Sequence, residues 1–101
     1  MYTDKNFKTK KQLKEQVAAY NAAVAALAAY MRTPDVSALT HALNVTNLQA
    51  EIDRNEVTIY SPGMGTPKTN GTESVEGPHY PQPHTWYAQV TLKDGVVVKV
   101  T

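Results

Sequence analysis

Cysteine is absent from the 101 residues, phenylalanine and tryptophan occur once each, and formal charge nearly cancels, with ten Lys and Arg against nine Asp and Glu. Without thiols there is no disulfide framework, no thiolate metal site and no cysteine nucleophile, in keeping with a reducing compartment. A net charge of +1 gives no global field to steer the chain toward nucleic acid or an anionic membrane. Long hydrophobic runs are also missing. The longest, VAAYNAAVAALAAYM at 17–31, falls short of the ~20 residues of a membrane span and contains Asn21 and two tyrosines. The first dozen residues are largely polar, so no secretory signal is expected and the expected location is cytoplasmic. The length suits one domain, 1–101, with a helical half at 9–54 and a sheet half at 56–101.

What is present begins with a local basic run, Lys5, Lys8, Lys10, Lys11 and Lys14. A solvated first turn is the plainer reading of such a run, and a phosphate contact the other. From Lys10 to Arg32, Leu13, Val17, Tyr20, Val24, Leu27 and Met31 recur at alternating spacings of four and three, the rhythm of a helix packed along another helix. Eight alanines surround this stripe in 17–31, more small surface than the rest of a short chain can cover. That predicts homo-oligomerisation through the Ala-rich helix. Thr33-Pro34-Asp35 has the cap, first-turn proline and acidic residue of a helix start. A second helix is predicted from about Pro34, with Val36, Leu39, Ala42 and Leu43 on one face. A break or kink is expected within Asn44–Asn47, and Asn55 closes the helix.

Beyond Asn55 the pattern changes to strands: Val57–Tyr60, a Pro/Gly/Ser/Thr/Asn-rich loop at 61–72, a short edge strand at Glu73–Glu76, and a C-terminal hairpin. A two-residue Asp94-Gly95 turn would pair Lys93 with Val96 and split the apolar set between faces. A three-residue loop with a bulge at Gly95 pairs Leu92 with Val96 and keeps Trp86, Ala88, Val90, Leu92, Val96, Val98 and Val100 together. The bulged version is the expectation. The fold class is α+β, an N-terminal pair of helices packed on an antiparallel sheet of three to four strands.

Chemistry-bearing residues concentrate in EGPHYPQPHTWYAQV, 76–90. His41, His79 and His84 have no recognised metal-site spacing, and no metal or cofactor is implied. Ser61 and Ser74 lack the setting of a nucleophile, PGMG at 62–65 is not followed by a helix start with Lys and Ser/Thr, and Glu73 and Glu76 fall on opposite strand faces. A binding protein rather than an enzyme is expected. Tyr60, Tyr80, Trp86 and Tyr87 offer faces for stacking a base. Asn70, Thr72, His79 and His84 offer polar edges, and Lys68 offers a phosphate contact, with Arg32 and Arg54 as further candidates. Pro78, Pro81 and Pro83 stiffen the segment. Trp86 has the parity of the buried face, which favours core packing over ligand contact. For Tyr60, His79, Tyr80 and His84, scaffold and ligand contact stand level.

The C-terminal run VTIYSPGMGTPKTNGTESVEGPHYPQPHTWYAQVTLKDGVVVKV, a little under half the chain, is similar to a run in many small phage and prophage proteins, through EGPHYPxPHxWYAxV followed by KDG. The whole layout, two helices and then a sheet with an aromatic before a long loop and an asparagine near its end, resembles the Thoeris anti-defence proteins of phages. That resemblance implies a self-assembling sponge in the infected host cell that sequesters a cyclic ADP-ribose type signal without degrading it. Tyr60 and Asn70 match the aromatic and the asparagine that hold the nucleotide. The family's pyrophosphate-binding arginine has no counterpart in the C-terminal half, so Lys68, His84, Thr85 or an arginine from another subunit would replace it. The contrasting expectation is a protein-directed inhibitor, as among anti-CRISPR proteins, with the aromatic loop as hot spot. A concave pocket at Tyr60, Asn70 and Tyr80 would favour the first, and a flat aromatic patch the second.

Overall fold

A computed structural model of the chain describes residues 1–32, 38–61 and 65–101. Its elements are β1 (Tyr2–Thr3), α1 (Lys10–Met31), α2 (Ala38–Asn55), β2 (Ile59–Tyr60), β3 (Gly71–Gly77), β4 (Trp86–Lys93) and β5 (Val96–Val100). The α+β class and the antiparallel sheet following two helices agree with the sequence pattern. The helix start expected at Thr33-Pro34-Asp35, and Val36, lie outside the described residues.

β3, β4 and β5 form a three-stranded meander, and β1 with β2 a two-stranded antiparallel ribbon. Single backbone hydrogen bonds join the two sheets at both edges. The Glu76 N–H donates to the Met1 carbonyl at 3.0 Å, and the Val97 N–H donates to the Val57 carbonyl at 2.8 Å. The N-terminal residues and 57–60 therefore bridge β3 to β5 around a core of Val57, Val75, Trp86, Ala88, Val90, Leu92 and Val97. Tyr2, Thr3 and Phe7 are buried, so the sheet half also takes in the start of the chain, not 56–101 alone.

Thr9 caps α1, its hydroxyl accepting the Gln12 N–H at 3.2 Å, and Leu13 and Val17 enter the core. Val24 and Met31, further along the predicted stripe, remain 39% and 58% exposed. Asn21, the only strongly polar residue of 17–31, donates to the Val98 carbonyl at 2.8 Å.

α2 packs on α1 and runs unbroken through Asn44–Asn47, where a kink was expected. The weak helix formers there are tied down: Asn44 Nδ2 donates to Tyr30 Oη at 3.0 Å, and the Thr46 hydroxyl donates to the Ala42 carbonyl at 2.8 Å. Packing on a neighbouring helix outweighs propensity. The inward face is also rotated from the one expected. His41, Val45 and Leu48 are half-buried and Ile52 buried, whereas Ala42 and Leu43 are exposed. Asn55 ends the helix, its side chain donating to the Glu51 carbonyl at 2.8 Å.

The hairpin register differs from the expected one. Asp94 and Gly95 have φ of 52° and 82°, the pair of positive values a two-residue type I′ turn requires, and Lys93 pairs with Val96. Parity is restored one step later. Leu92 pairs with Val97 and Thr91 with Lys99, leaving Val98 as an inserted residue. The turn already sets Val97 opposite Leu92 in the core, and the bulge brings Val100 opposite Val90 against that core and leaves the Val98 carbonyl to accept from Asn21. Val96 and Val98 are half-buried and stand outside the core cluster.

Candidate functional site

Loop 78–85, which joins β3 to β4, folds back on the N-terminal strand. It is fixed at four backbone groups: the His79 N–H donates to Asn6 Oδ1 (2.9 Å), Tyr80 N–H to Tyr2 Oη (3.3 Å), Gln82 N–H to the His79 carbonyl (3.1 Å) and Thr85 N–H to the Gly77 carbonyl (2.7 Å). The His79 ring stacks on Tyr2, with centroids 4.8 Å apart, and Tyr60 meets both rings edge-on at 5.9 Å. Tyr80 projects from this clasp with 80% of its surface exposed, and Tyr60 is 41% exposed.

Beneath the clasp, His84 bridges two groups, its Nδ1 3.4 Å from Glu76 Oε2 and its Nε2 3.0 Å from Tyr2 Oη. The assignment that satisfies every contact has Nδ1–H donating to Glu76, Tyr2 O–H donating to Nε2, and Tyr80 N–H donating to the phenol oxygen. Carboxylate, imidazole and hydroxyl stand in the order of a nucleophile relay. The terminal oxygen, however, belongs to a tyrosine only 7% exposed and already engaged by Tyr80, so it offers a reacting group no open side. This string works as a staple for the loop.

Trp86 is buried, its Nε1–H donating to the Phe7 carbonyl at 3.0 Å and its indole folded over Gly77, its partner on β3. It packs the core, as its parity indicated. Thus Tyr60, His79 and His84 gather around Tyr2 with Tyr80 beside them, while Trp86 belongs to the core at the end of β3 from which the loop leaves.

Lys68, Asn70 and Thr72 lie at the other end of β3. Asn70 Oδ1 accepts the Asp94 N–H at 3.1 Å, and Lys68 Nζ reaches the Thr72 carbonyl (3.5 Å) and Glu73 Oε1 (3.7 Å). Gly71 pairs with Leu92 at this end and Gly77 with Trp86 at the other. Six residue steps of strand separate them, roughly 20 Å. One chain does not bring Tyr60 and Asn70 to a common hollow.

A groove of about 420 Å³ lies beside the clasp and is lined by Met1, Ser74, Glu76, Tyr87, Gln89 and Thr101 among others, with Tyr87 64% exposed. Arg54 pairs with Glu51, and Lys5 donates to the Glu56 carbonyl at 2.8 Å. Among the described residues, no three His, Cys, Asp or Glu side chains are placed to hold a metal ion, and His41 stacks on Tyr30.

Sequence reasoning missed Tyr2, Asn6 and Glu76 as parts of the site. A two-residue strand is too short for periodicity to show. The one available signal was a tyrosine and a phenylalanine in an otherwise polar opening. Comparison with protein-family models, curated proteins and solved structures finds no match for this chain.

Proposed function

We propose that the protein acts by binding, without turnover, and that its ligand is another protein gripped at the aromatic clasp. The observation that carries this reading is Tyr80: an 80% exposed ring on a loop whose backbone is already fixed by the N-terminal strand. A stiff, exposed aromatic loses little conformational freedom on docking, which is what lets such a residue become a binding hot spot. Tyr60 widens the same patch, and the clasp projects rather than encloses. A protein-directed inhibitor or interaction module fits that shape.

Sequestration of a cyclic nucleotide of the cyclic ADP-ribose type is the second reading. The resemblance to the Thoeris anti-defence proteins supports it, and so does the cluster of Lys68, Asn70 and Thr72, whose polar groups suit a phosphate and a ribose. With Tyr60 at one end of β3 and Asn70 at the other, such a pocket requires two copies, each supplying one end. On this reading too the protein is a phage product acting in the infected cell.

The test compares the wild-type chain with Tyr80→Ala. Partners recovered from infected-cell extract by the wild type and lost with Tyr80→Ala, at equal melting temperature, support the first reading. A thermal-shift and calorimetry screen against cyclic ADP-ribose isomers and cyclic di- and trinucleotides addresses the second. Saturable binding, release of unchanged ligand on heating, and loss of binding in Asn70→Ala would replace the first reading with the second. An altered product would reinstate catalysis.

A further inference from the structure

The outer edge of β3 carries backbone groups that no described residue takes up. Gln89 and Thr101 exchange both backbone bonds, at 3.1 and 2.8 Å, so the odd-numbered residues of β4 point their N–H and C=O groups at β5 and the even-numbered ones point theirs at β3. On β3 it is therefore Gly71, Glu73, Val75 and Gly77, the partners of Leu92, Val90, Ala88 and Trp86, that bond to β4. Thr72, Ser74 and Glu76 face outward. The Met1 carbonyl accepts the Glu76 N–H, and Lys68 Nζ lies 3.5 Å from the Thr72 carbonyl. The Thr72 N–H and both backbone groups of Ser74 have no partner among the described residues, and both residues are exposed.

Sheet edges are ordinarily blunted by proline, a bulge or outward charge. β3 pairs with β4 in register over seven residues, without bulge or proline, and its two carboxylates are engaged within the chain, Glu73 with Lys68 and Glu76 with His84. Two recognition features flank the open stretch. The groove of about 420 Å³ is lined by Ser74 and Tyr87, and loop 78–85 with Tyr80 leaves from the end of the same strand at Gly77. We infer that β3 takes an extended segment of the partner protein as an added strand, paired at Thr72 and Ser74, with one apolar or aromatic side chain of that segment turned into the groove against Tyr87.

This inference rests on the protein-directed reading and specifies how that partner is held. An extended backbone repeats its donors and acceptors about every 7 Å on one side, the spacing of Thr72 and Ser74. Its side chains alternate, so those beside Ser74 on the outer face meet Tyr87 and Gln89. From Thr72, held by Lys68, to Glu76, held by Met1, is four residue steps, about 13 Å, which suits an extended segment of about four or five residues. A second copy of β3 does not fit there. Paired antiparallel about Ser74, Thr72 of one strand would lie opposite Glu76 of the other, the position Met1 fills. Displacing Lys68 costs little, because its side chain is 63% exposed and its ammonium reaches Thr72 only at the limit of a hydrogen bond.

The probe is a random library of linear peptides selected on the immobilised wild-type chain, with enriched peptides resynthesised and their Kd measured by calorimetry. Saturable binding is expected, with the Ser74 amide exchanging fast in the free chain and protected in the complex. Ser74→Pro removes an outward N–H at an edge position where proline is tolerated, and should weaken binding at least ~5-fold, the contribution of one hydrogen bond. N-methylation of alternate peptide amides should weaken binding to the wild-type chain in one parity and not in the other, a readout that misfolding of a variant cannot mimic. Peptides that bind but are indifferent to Ser74→Pro and to the parity of methylation overturn the inference; if Tyr80→Ala abolishes that same binding, the clasp reading survives. Loss with Ser74→Pro but not with Tyr80→Ala keeps the added strand and removes the clasp. A library that yields no binder overturns the inference. So does a Ser74 amide whose protection in the free chain rises with protein concentration, because another copy then holds the edge.

Discussion

Replacing Gly77 with alanine tests how the end of β3, from which loop 78–85 leaves, is packed. Gly77 pairs with Trp86, and the indole lies across the space a side chain would take. A Cβ on Gly77 would sit 2.3 Å from Trp86 Cζ2, 2.4 Å from Cε2 and 2.6 Å from Nε1. Ordinary contact requires the ring to move by about 1 Å, in a core too densely packed to absorb it. The ring is 6% exposed and held by its hydrogen bond to the Phe7 carbonyl. Overpacking costs about 1–3 kcal/mol, and the weakened hydrogen bond costs about 1 kcal/mol more. The loss of glycine's unfolded-state freedom returns ~0.5–1 kcal/mol. The net is destabilisation by about 1–3.5 kcal/mol, or a melting temperature lower by ~5–25 °C in a domain of this size. Thermal unfolding followed by circular dichroism and by the single tryptophan's fluorescence measures it. In a Trp86→Phe background the same substitution should cost less than half as much, because the smaller ring leaves room. A melting temperature within ~2 °C of wild type, or equal costs in both backgrounds, would refute the picture of an indole seated on a bare glycine.

Two further outcomes follow from the geometry. Tyr2→Phe leaves the Tyr80 N–H and His84 Nε2 without the phenol oxygen that joins them. It should cost about 1–2 kcal/mol and speed hydrogen exchange at the Tyr80 amide while leaving the β4 amides slow. Uniform acceleration would mean that Tyr2 supports the whole sheet instead of the loop. Gly95→Ala meets no atom within 4 Å but forces a side chain to adopt φ of +82°. Its cost should be conformational strain alone, about 1–2 kcal/mol, read from urea unfolding, and Gly95→Asn should recover most of it.

The elements were legible wherever a pattern repeated. Leu13 and Val17 at the start of the α1 stripe, the end of α2 at Asn55 and the alternation of β4 from Trp86 to Leu92 reach the core or the boundary that spacing implied, while Val24 and Met31 further along the stripe stay exposed. Legibility failed where one residue decides. Read locally, a two-residue turn at Asp94-Gly95 splits the apolar residues between the two faces. The bulge at Val98, three residues past the turn, returns Val100 to the core face, and its carbonyl is taken up by a helix side chain, Asn21, that no local pattern reveals. Likewise, the asparagines and threonine within Asn44–Asn47 signal a break when read alone. The partner that satisfies Asn44 is Tyr30, on the other helix. At the candidate site, composition drew attention to the loop between β3 and β4 but not to its geometry. Tyr60 and Asn70, ten residues apart in sequence, are parted by the run of β3 between them.

The clasp depends on how the sheet half closes. Because Met1 and Val57 bridge the outer strands, Tyr2 is held at the edge of β3 with its hydroxyl beneath loop 78–85. A loop with three prolines is stiff on its own, but stiffness does not choose a direction; the contacts from Asn6, Tyr2 and His84 do. The same contacts turn inward every ring of the cluster except Tyr80 and part of Tyr60. A loop that served only to cover the end of the sheet would gain stability by laying Tyr80 down over apolar surface, at about 25 cal/mol per Å² buried. Its backbone is instead secured through Tyr2 while its ring stands in water. Surface left uncovered on an anchored segment is what a binding edge requires, and this is the physical ground for reading the clasp as the functional face.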